Sequence, residues 1–272
     1  MSDNMPAYKK SNFGGAFFFL SKEKKQALSI IYAFCRLADD IVDEGFSDAK
    51  QKLDDLRKEL DNVYEGCPKT ELGKELLKAV KPFNIPKQYL SDLLDGCERD
   101  LKTPVRYESF GDLQWYMYRV ASTVGLMCIK IFGYKNERTE KYAVALGYAV
   151  QLTNIVRDAA EDAKINRIYI PKQDLESFGV KEEDILKLKD NRRTKALLFF
   201  EAQKAQELFI QAEKLLPKED FKAMLPARAM GNTYKAILAK LIARPCRLDD
   251  KKIKLNKIEK IRILFNTWRN RL

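Results

Sequence analysis

Apolar side chains recur at three- and four-residue steps along most of this chain, and strand-like alternation is hard to find, so the pattern demands helices. After Ser21, for example, Ala27, Leu28, Ile31, Phe34, Leu37, Ile41 and Val42 share one broad helical face. Only 12 Gly and 9 Pro punctuate the 272 residues, and nowhere do they gather into a Pro-, Gly- or Ser-rich linker. A chain of this length and pattern is expected to fold as one all-α domain, residues 1–272, with a large core.

Local signals place the segments. Ser21 is a suitable N-cap for the first helix, which is expected to end near Gly45. Further helices are predicted from about Ser47 to Tyr64, Thr70 to Val80, and from Pro86 to about Asp100. Thr103 to Ser109 reads as a connection and Phe110 to Phe132 as one long helix, whose Ala121, Ser122 and Gly125 would admit a close neighbour. A helix from about Glu137 to Ala163 leads to a loop at Asn166 to Pro171. Three more are predicted at Lys181 to Lys187, Thr194 to Leu216 and Lys218 to Ala243. The basic tail from Lys251 to Arg271 carries Ile253, Leu255, Ile258, Ile261 and Leu264 at amphipathic spacing, and this last helix is expected to dock on the core.

Two Asp-x-x-x-Asp pairs, Asp39 with Asp43 and Asp158 with Asp162, lie within these mostly apolar helices. Residues four apart share a helical face, so each pair projects two carboxylates from one stripe, close enough to hold a hard divalent cation by oxygen. Tyr32, Arg36, Asp39 or Asp40, and Asp43 follow one another along the first stripe, and Gln151, Asn154, Asp158 and Asp162 along the second. Polar stripes with Leu146, Leu152 and Ile155 for neighbours belong on a cavity wall. Arg36 and Arg157 each lie within a turn of a pair, where a guanidinium could bind diphosphate oxygens bidentately.

Composition removes several competing chemistries. There is no histidine, which excludes Ser-His-Asp and Cys-His catalysis and any Cys/His zinc site. The five cysteines are dispersed without a C-x-x-C, which fits reduced thiols in the cytoplasm. The formal charge of +11 comes from Lys and Arg scattered among 39 acidic residues, so a nucleic-acid interface is not expected, although the basic field could draw diphosphates or an anionic membrane surface. Met1 to Lys10 is polar and the apolar run Ala16 to Leu20 is far too short to span a membrane, so neither a leader nor an anchor is expected.

Paired acids imply a cation and a phosphorylated substrate. A diphosphate leaves well only when its charge is neutralised, and carboxylates can approach it only through bridging cations such as Mg²⁺. If it departs from an allylic carbon, the remaining carbocation must be kept from water, and 15 Phe and 12 Tyr are available to line such a pocket.

Three motifs carry a family resemblance. The run Tyr116-Met117-Tyr118-Arg119-Val120-Ala121-Ser122-Thr123-Val124-Gly125 resembles the Y-C-x-x-V-A-G-x-V-G signature of the squalene and phytoene synthases. Leu146-Gly147, Gln151, Asn154-Ile155, Arg157-Asp158, Asp162 and Arg167-Ile168-Tyr169-Ile170-Pro171 resemble the second signature of that family, and Tyr32 through Asp43 its first aspartate motif. The likeness spans roughly Ser11 to Ala243. Ala33-Phe34-Cys35-Arg36, Arg106-Tyr107-Glu108-Ser109-Phe110 and Arg119-Val120-Ala121-Ser122 look most like the bacterial presqualene diphosphate synthases of hopanoid pathways.

The resemblance implies an isoprenoid-synthase fold, a helical bundle around a central cavity, with Mg²⁺ and head-to-head joining of two farnesyl diphosphates to presqualene diphosphate. Asp39, Asp43, Asp158, Asp162 and Asn154 match metal-binding positions, and Gln151 a polar position beside them. Tyr32, Arg36, Arg157 and Tyr169 match diphosphate contacts, Tyr116 the tyrosine of the condensation chemistry, and Tyr234 a late tyrosine facing the diphosphate. Phytoene, dehydrosqualene and squalene synthases share every motif. A mitochondrial assembly factor with this fold does not keep the full aspartate set, which is intact here. No Gly-rich dinucleotide fingerprint is present and NADPH is not expected, although the family need not use a Rossmann site. Ser122 and Ala159 are smaller or different from the usual family residues and are expected to reshape the prenyl cavity.

Overall fold

The computed structural model describes residues 20–43, 47–244, 247–248 and 253–269; the Ser11-Asn12-Phe13 segment, most of the apolar run after it, Gly45 and Cys246 lie outside these. Every regular element among the described residues is helical, apart from one isolated bridge between Val105 and Arg167. The first four helices are α1 (Lys22–Asp43), α2 (Ala49–Tyr64), α3 (Glu71–Val80) and α4 (Lys87–Arg99). Then come α5 (Phe110–Met117), α6 (Thr123–Phe132), α7 (Arg138–Lys164), α8 (Lys172–Ser177) and α9 (Glu182–Leu186). The chain continues through α10 (Arg192–Leu215), α11 (Leu225–Ala243) and α12 (Lys257–Arg269).

The starts of these helices obey the capping rules. The Lys24 amide donates to Ser21 Oγ at 3.3 Å, and the Gly73 amide to Thr70 Oγ1 at 3.0 Å. Ser109 and Asp112 close a reciprocal capping box on α5. Helix α7 is the axis of the bundle, packed against α5, α6, α10 and α11, while α1 closes the opposite side against α3, α4 and α6.

The expected single helix from Phe110 to Phe132 is interrupted by a π-helical turn at Tyr118–Ser122. Packing explains the interruption. Gly96 of α4 and Gly147 of α7 press on this turn from two sides: a Cβ on Gly96 would stand 2.7 Å from Val120 Cγ1, and one on Gly147 would stand 2.6 Å from Ser122 Cα. The extra residue of a π turn re-aims the side chains around it, and Val120 faces the cavity described below. Ser122 is fully buried and its hydroxyl donates to the Val144 carbonyl at 2.9 Å, so its small size serves the contact with α7 rather than a prenyl wall. Replacing Gly147 by Ala is expected to cost about 2 kcal/mol, the usual size of an overpacking penalty, because the clash is with backbone that cannot swing away. Chemical denaturation with an unchanged m-value would check this.

Two other expectations change. The segment from Lys218 opens with a short 3₁₀ turn, and α11 begins only at Leu225, with Pro226 in its first turn where the missing N–H does no harm. The buried Asp220 carboxylate fastens that turn to the start of α7, accepting from the amides of Lys135 and Asn136 at 2.7 and 3.0 Å and from the Thr139 hydroxyl at 2.6 Å. Helix α8 follows directly on the Asn166 to Pro171 loop, in a stretch for which the sequence predicted no element. At the C-terminal end α12 does dock on α11, through Asn232 donating to buried Thr267 at 2.8 Å and an ion pair of Lys240 with Glu259 at 2.7 Å. No described helix is long and apolar enough to cross a membrane.

Candidate active site

The two loops read as connections run side by side and bring the site together. The Ile168 amide donates to the Val105 carbonyl at 3.1 Å, and Arg106 ties the loops further by donating to the Asn166 carbonyl at 2.8 Å and to Glu182 at 2.7 Å. Asn166 takes a left-handed φ of 60°, a conformation asparagine tolerates. This pairing stacks Tyr107 and Tyr169 beside Tyr116 of α5, with the Tyr116 and Tyr169 ring centroids 5.2 Å apart. Asp100, one residue beyond α4, receives both hydroxyls on one oxygen, from Tyr116 at 2.7 Å and from Tyr169 at 2.9 Å. Its other oxygen is buried without a hydrogen-bond partner.

That carboxylate opens on a cavity of about 130 Å³ enclosed by α1, α4, α5 and α7. Asp39, Val42 and Asp43 form the α1 wall; Cys97 and Asp100, Tyr116 with Val120, and Gln151 form the others. The Cys97 thiol donates weakly to Asp39 at 3.7 Å. The cavity is poor in compensating charge. Burial, and then the neighbouring Asp43, push the Asp39 carboxyl up to about 6. Burial, and then Asp158, push Asp162 up to about 7. Burial also raises Asp100, although the two tyrosine hydroxyls oppose it. Both Asp pairs also fall at the C-terminal ends of their helices, where the backbone dipole disfavours anions and favours cations.

Arg167 answers part of this charge. It donates to Asp43 at 2.9 Å, and its field acts on Asp100 and Asp162, so one guanidinium spans the gap between the two pairs. On α7, Arg157 grips Asp158 with Nε and Nη2 at 2.8 and 2.5 Å and also meets Tyr234 of α11. Asn154 donates to Gln151 at 3.3 Å, while its own carbonyl oxygen is buried without a partner. Ala159 leaves a void of about 10 Å³ beside Asp162, Arg167 and Tyr169.

Of the residues predicted from sequence, Asp39, Asp43, Tyr116 and Gln151 therefore share one cavity, and Tyr169 reaches it through Asp100. Asn154, Asp158, Asp162, Arg157 and Tyr234 form an adjoining group on the α7 side. Tyr32 is half-buried on α1, and Arg36 pairs with Asp40 with 54% of its side chain exposed; neither walls the cavity. Asp100 and Cys97 escaped the sequence reading because a single acid or thiol at a helix end carries no spacing signal. Arg167 lay inside the quoted motif, but its partner Asp43 is 124 positions away.

The donor set fits a divalent cation of the Mg²⁺ kind. Its groups are carboxylate and amide oxygens, Asp39 and Asp162 are held above the ordinary carboxylate range by burial and by the neighbouring acid, and Asn154 keeps an orphaned acceptor. Among the described residues no three acidic or thiol groups converge into a ready-made cage. Mg²⁺ commonly binds through one or two carboxylates together with substrate phosphates, and this geometry suits that mode.

Similarity to known proteins gives the family. A sequence model of the squalene/phytoene synthase family matches residues 7–259. Phytoene synthase of Mycobacterium tuberculosis is 33% identical over 258 residues, covering 93% of this chain and 84% of that protein. Presqualene diphosphate synthase of Rhodopseudomonas palustris is 30% identical over 258 residues, covering 94% and 92%. The crystal structure of a dehydrosqualene synthase in complex with ligand superposes with a TM-score of 0.84 at 29% identity, over 96% of this chain and 92% of that one. With an all-helical fold of the isoprenoid-synthase kind and this site, the chain belongs to the squalene/phytoene synthase family of prenyltransferases.

Proposed function

We propose that the protein joins two farnesyl diphosphates head to head, releasing diphosphate and yielding presqualene diphosphate. The observation that carries the proposal is the meeting of the Asp39 and Asp43 carboxylates, Gln151 and the Tyr116–Asp100 pair in one cavity, with Arg167 linking Asp43 toward Asp162. The choice of product rests on the presqualene diphosphate synthase relative, matched along 92% of its length.

In this reading Asp39, Asp43, Asp158, Asp162 and Asn154 would hold Mg²⁺ with the diphosphate, and Arg167 and Arg157 would take phosphate oxygens, while Arg36, paired with Asp40 at the surface, stands outside the cavity. Bound Mg²⁺ would neutralise the leaving group. The C1–O bond of one substrate breaks with its electron pair on the diphosphate, the 2,3 double bond of the other supplies the pair for the new carbon–carbon bond, and loss of a proton closes the cyclopropane. Burial and then the adjacent Asp100 push the Tyr116 hydroxyl well above its ordinary value, so Tyr116 works as a neutral phenol that donates to Asp100. A neutral phenol is a poor base, which favours the departing diphosphate over Tyr116 as the proton acceptor and makes Tyr116 a positioning residue. Tyr169, Tyr234 and Gln151 would complete the polar shell around the two diphosphates.

Purified protein incubated with Mg²⁺ and farnesyl diphosphate without NADPH should give a C30 cyclopropyl diphosphate by mass spectrometry. A C40 polyene from geranylgeranyl diphosphate would instead assign the phytoene synthase activity of the Mycobacterium tuberculosis relative. Squalene formed only with NADPH, or a C30 polyene, would move the product one step further along the same chemistry.

A further inference from the structure

The outward face of α12 carries an apolar stripe that its docking on α11 does not use. Ile258, Ile261 and Phe265 are 77%, 65% and 56% exposed, and Trp268 completes the row at 39%. At 3.6 residues per turn these four positions fall within an arc of about 80°. Thr267 and Ile263, which face the core, lie on the other side of the helix, and half-buried Leu264 flanks the stripe beside Trp268. Of the other large apolar residues exposed on the described surface, Leu37 lies on α1, and Phe199 and Ile210 stand about three turns apart on α10; such separated residues need no explanation. Four in register on one helix do.

Charge selects the occupant. Lys257 borders the stripe on one side and Arg262 and Arg269 border it on the other, all exposed, while Glu259, the only acid of α12, is turned away into its ion pair with Lys240. Cations along both margins of an apolar stripe ending in tryptophan are the pattern of a helix lying in the plane of an anionic lipid surface. The apolar side chains enter the acyl boundary, the basic side chains reach up to lipid phosphates, and the indole settles at the headgroup level. The chain's formal charge of +11 adds a long-range attraction to the same surface. We propose that α12 docks this protein on an anionic lipid bilayer through Ile258, Ile261, Phe265 and Trp268, with Lys257, Arg262 and Arg269 binding phosphate headgroups. Helix α11 packs between α12 and α7, so docking would hold the α7 side of the bundle over the membrane that takes up an apolar product.

The test is sedimentation of the full chain with vesicles of phosphatidylglycerol and phosphatidylcholine, compared with phosphatidylcholine alone. The expected result is binding to the anionic vesicles that weakens with salt and falls at least tenfold in both the Ile261→Ser/Phe265→Ser and the Arg262→Glu/Arg269→Glu variants. Because these side chains point outward, circular dichroism and melting should match the parent. In a Trp115→Phe background, where Trp268 is the remaining tryptophan, its emission should shift to the blue on anionic vesicles and stay put on neutral ones. Equal partitioning of parent and variants, or no binding with an unshifted emission, would overturn the proposal. So would a dimer that the Ile261→Ser/Phe265→Ser variant disrupts without any vesicle binding, since a second copy of the chain would then cover the face. None of these outcomes depends on which prenyl product is made.

Discussion

Asparagine at position 162 is expected to stop turnover and, in the same protein, to raise the melting temperature measured without Mg²⁺. The two effects share one cause. Burial and Asp158 displace the folded-state carboxyl from 3.8 to about 7, so the folded protein resists ionising it. The sign follows from linkage. Below about pH 4 the group is protonated folded and unfolded and costs nothing; as pH rises toward 7 the unfolded chain ionises and gains, while the folded chain does not. Above that window the penalty is constant, and at 1.36 kcal/mol per tenfold it is at most about 4 kcal/mol. Sharing of charge with Asp158 reduces what is recovered to about 2 kcal/mol, or roughly 4–8 °C for a chain of this size. Asparagine keeps the shape without the charge, so the gain should appear at pH 8 and vanish at pH 4. Activity is expected to move the other way: if Asp162 is the Mg²⁺ ligand proposed above, its loss removes several kcal/mol of transition-state stabilisation, about 10³-fold in kcat. Asp39→Asn should lose turnover alike but with little thermal gain, because its carboxyl, raised only to about 6, belongs to a side chain still open to solvent. A variant that lost activity and stability together would mean that Asp162 is a structural acid, and wild-type turnover would remove both pairs from the metal site.

What could be read from the chain without coordinates was governed by local periodicity. Ser21, Thr70 and Ser109 announce helices that begin where they should, because capping is a contact across three residues. The π turn at Tyr118–Ser122 was not legible, since nothing local requires it; it answers to Gly96 and Gly147, which the fold delivers from two other helices. The start of α11 was misplaced because Lys218 to Met224 is compatible with helix locally, whereas Asp220 prefers three bonds to the start of α7. The site divides in the same way. The aspartate pairs and Gln151 repeat at helical spacing and declare themselves. Asp100 does not, because its importance comes from two tyrosines 16 and 69 positions away, and Arg36, on the expected stripe, turns out to pair with Asp40 at the surface.

Arg167 is where the charge balance of the site can be tested from the opposite side. Arg167→Gln removes the cation that donates to Asp43 and that lowers Asp100 and Asp162, so those two carboxyls rise further and the folded state should pay more to ionise them. The variant is therefore expected to be less stable than the parent at pH 8, with the gap narrowing as pH falls toward 5 and the acids protonate. Breaking a buried pair can cost 3–5 kcal/mol, but Asp43 is half-exposed, which brings the expected loss to about 2 kcal/mol. In catalysis the same guanidinium stands between the two aspartate pairs, where the leaving diphosphate would be held. Its loss should lower kcat/KM about 10²–10³-fold, the usual effect of deleting one preorganised donor to developing negative charge. Inhibition by inorganic pyrophosphate should weaken in step, which an arginine that only braced Asp43 would not require. Asp162→Asn and Arg167→Gln are thus both expected to silence the enzyme but to move its melting temperature in opposite directions. That divergence is the signature of a site whose excess negative charge is kept for a cation to complete; two variants that shift stability the same way would show that the acids and the arginine are one structural salt-bridge network instead.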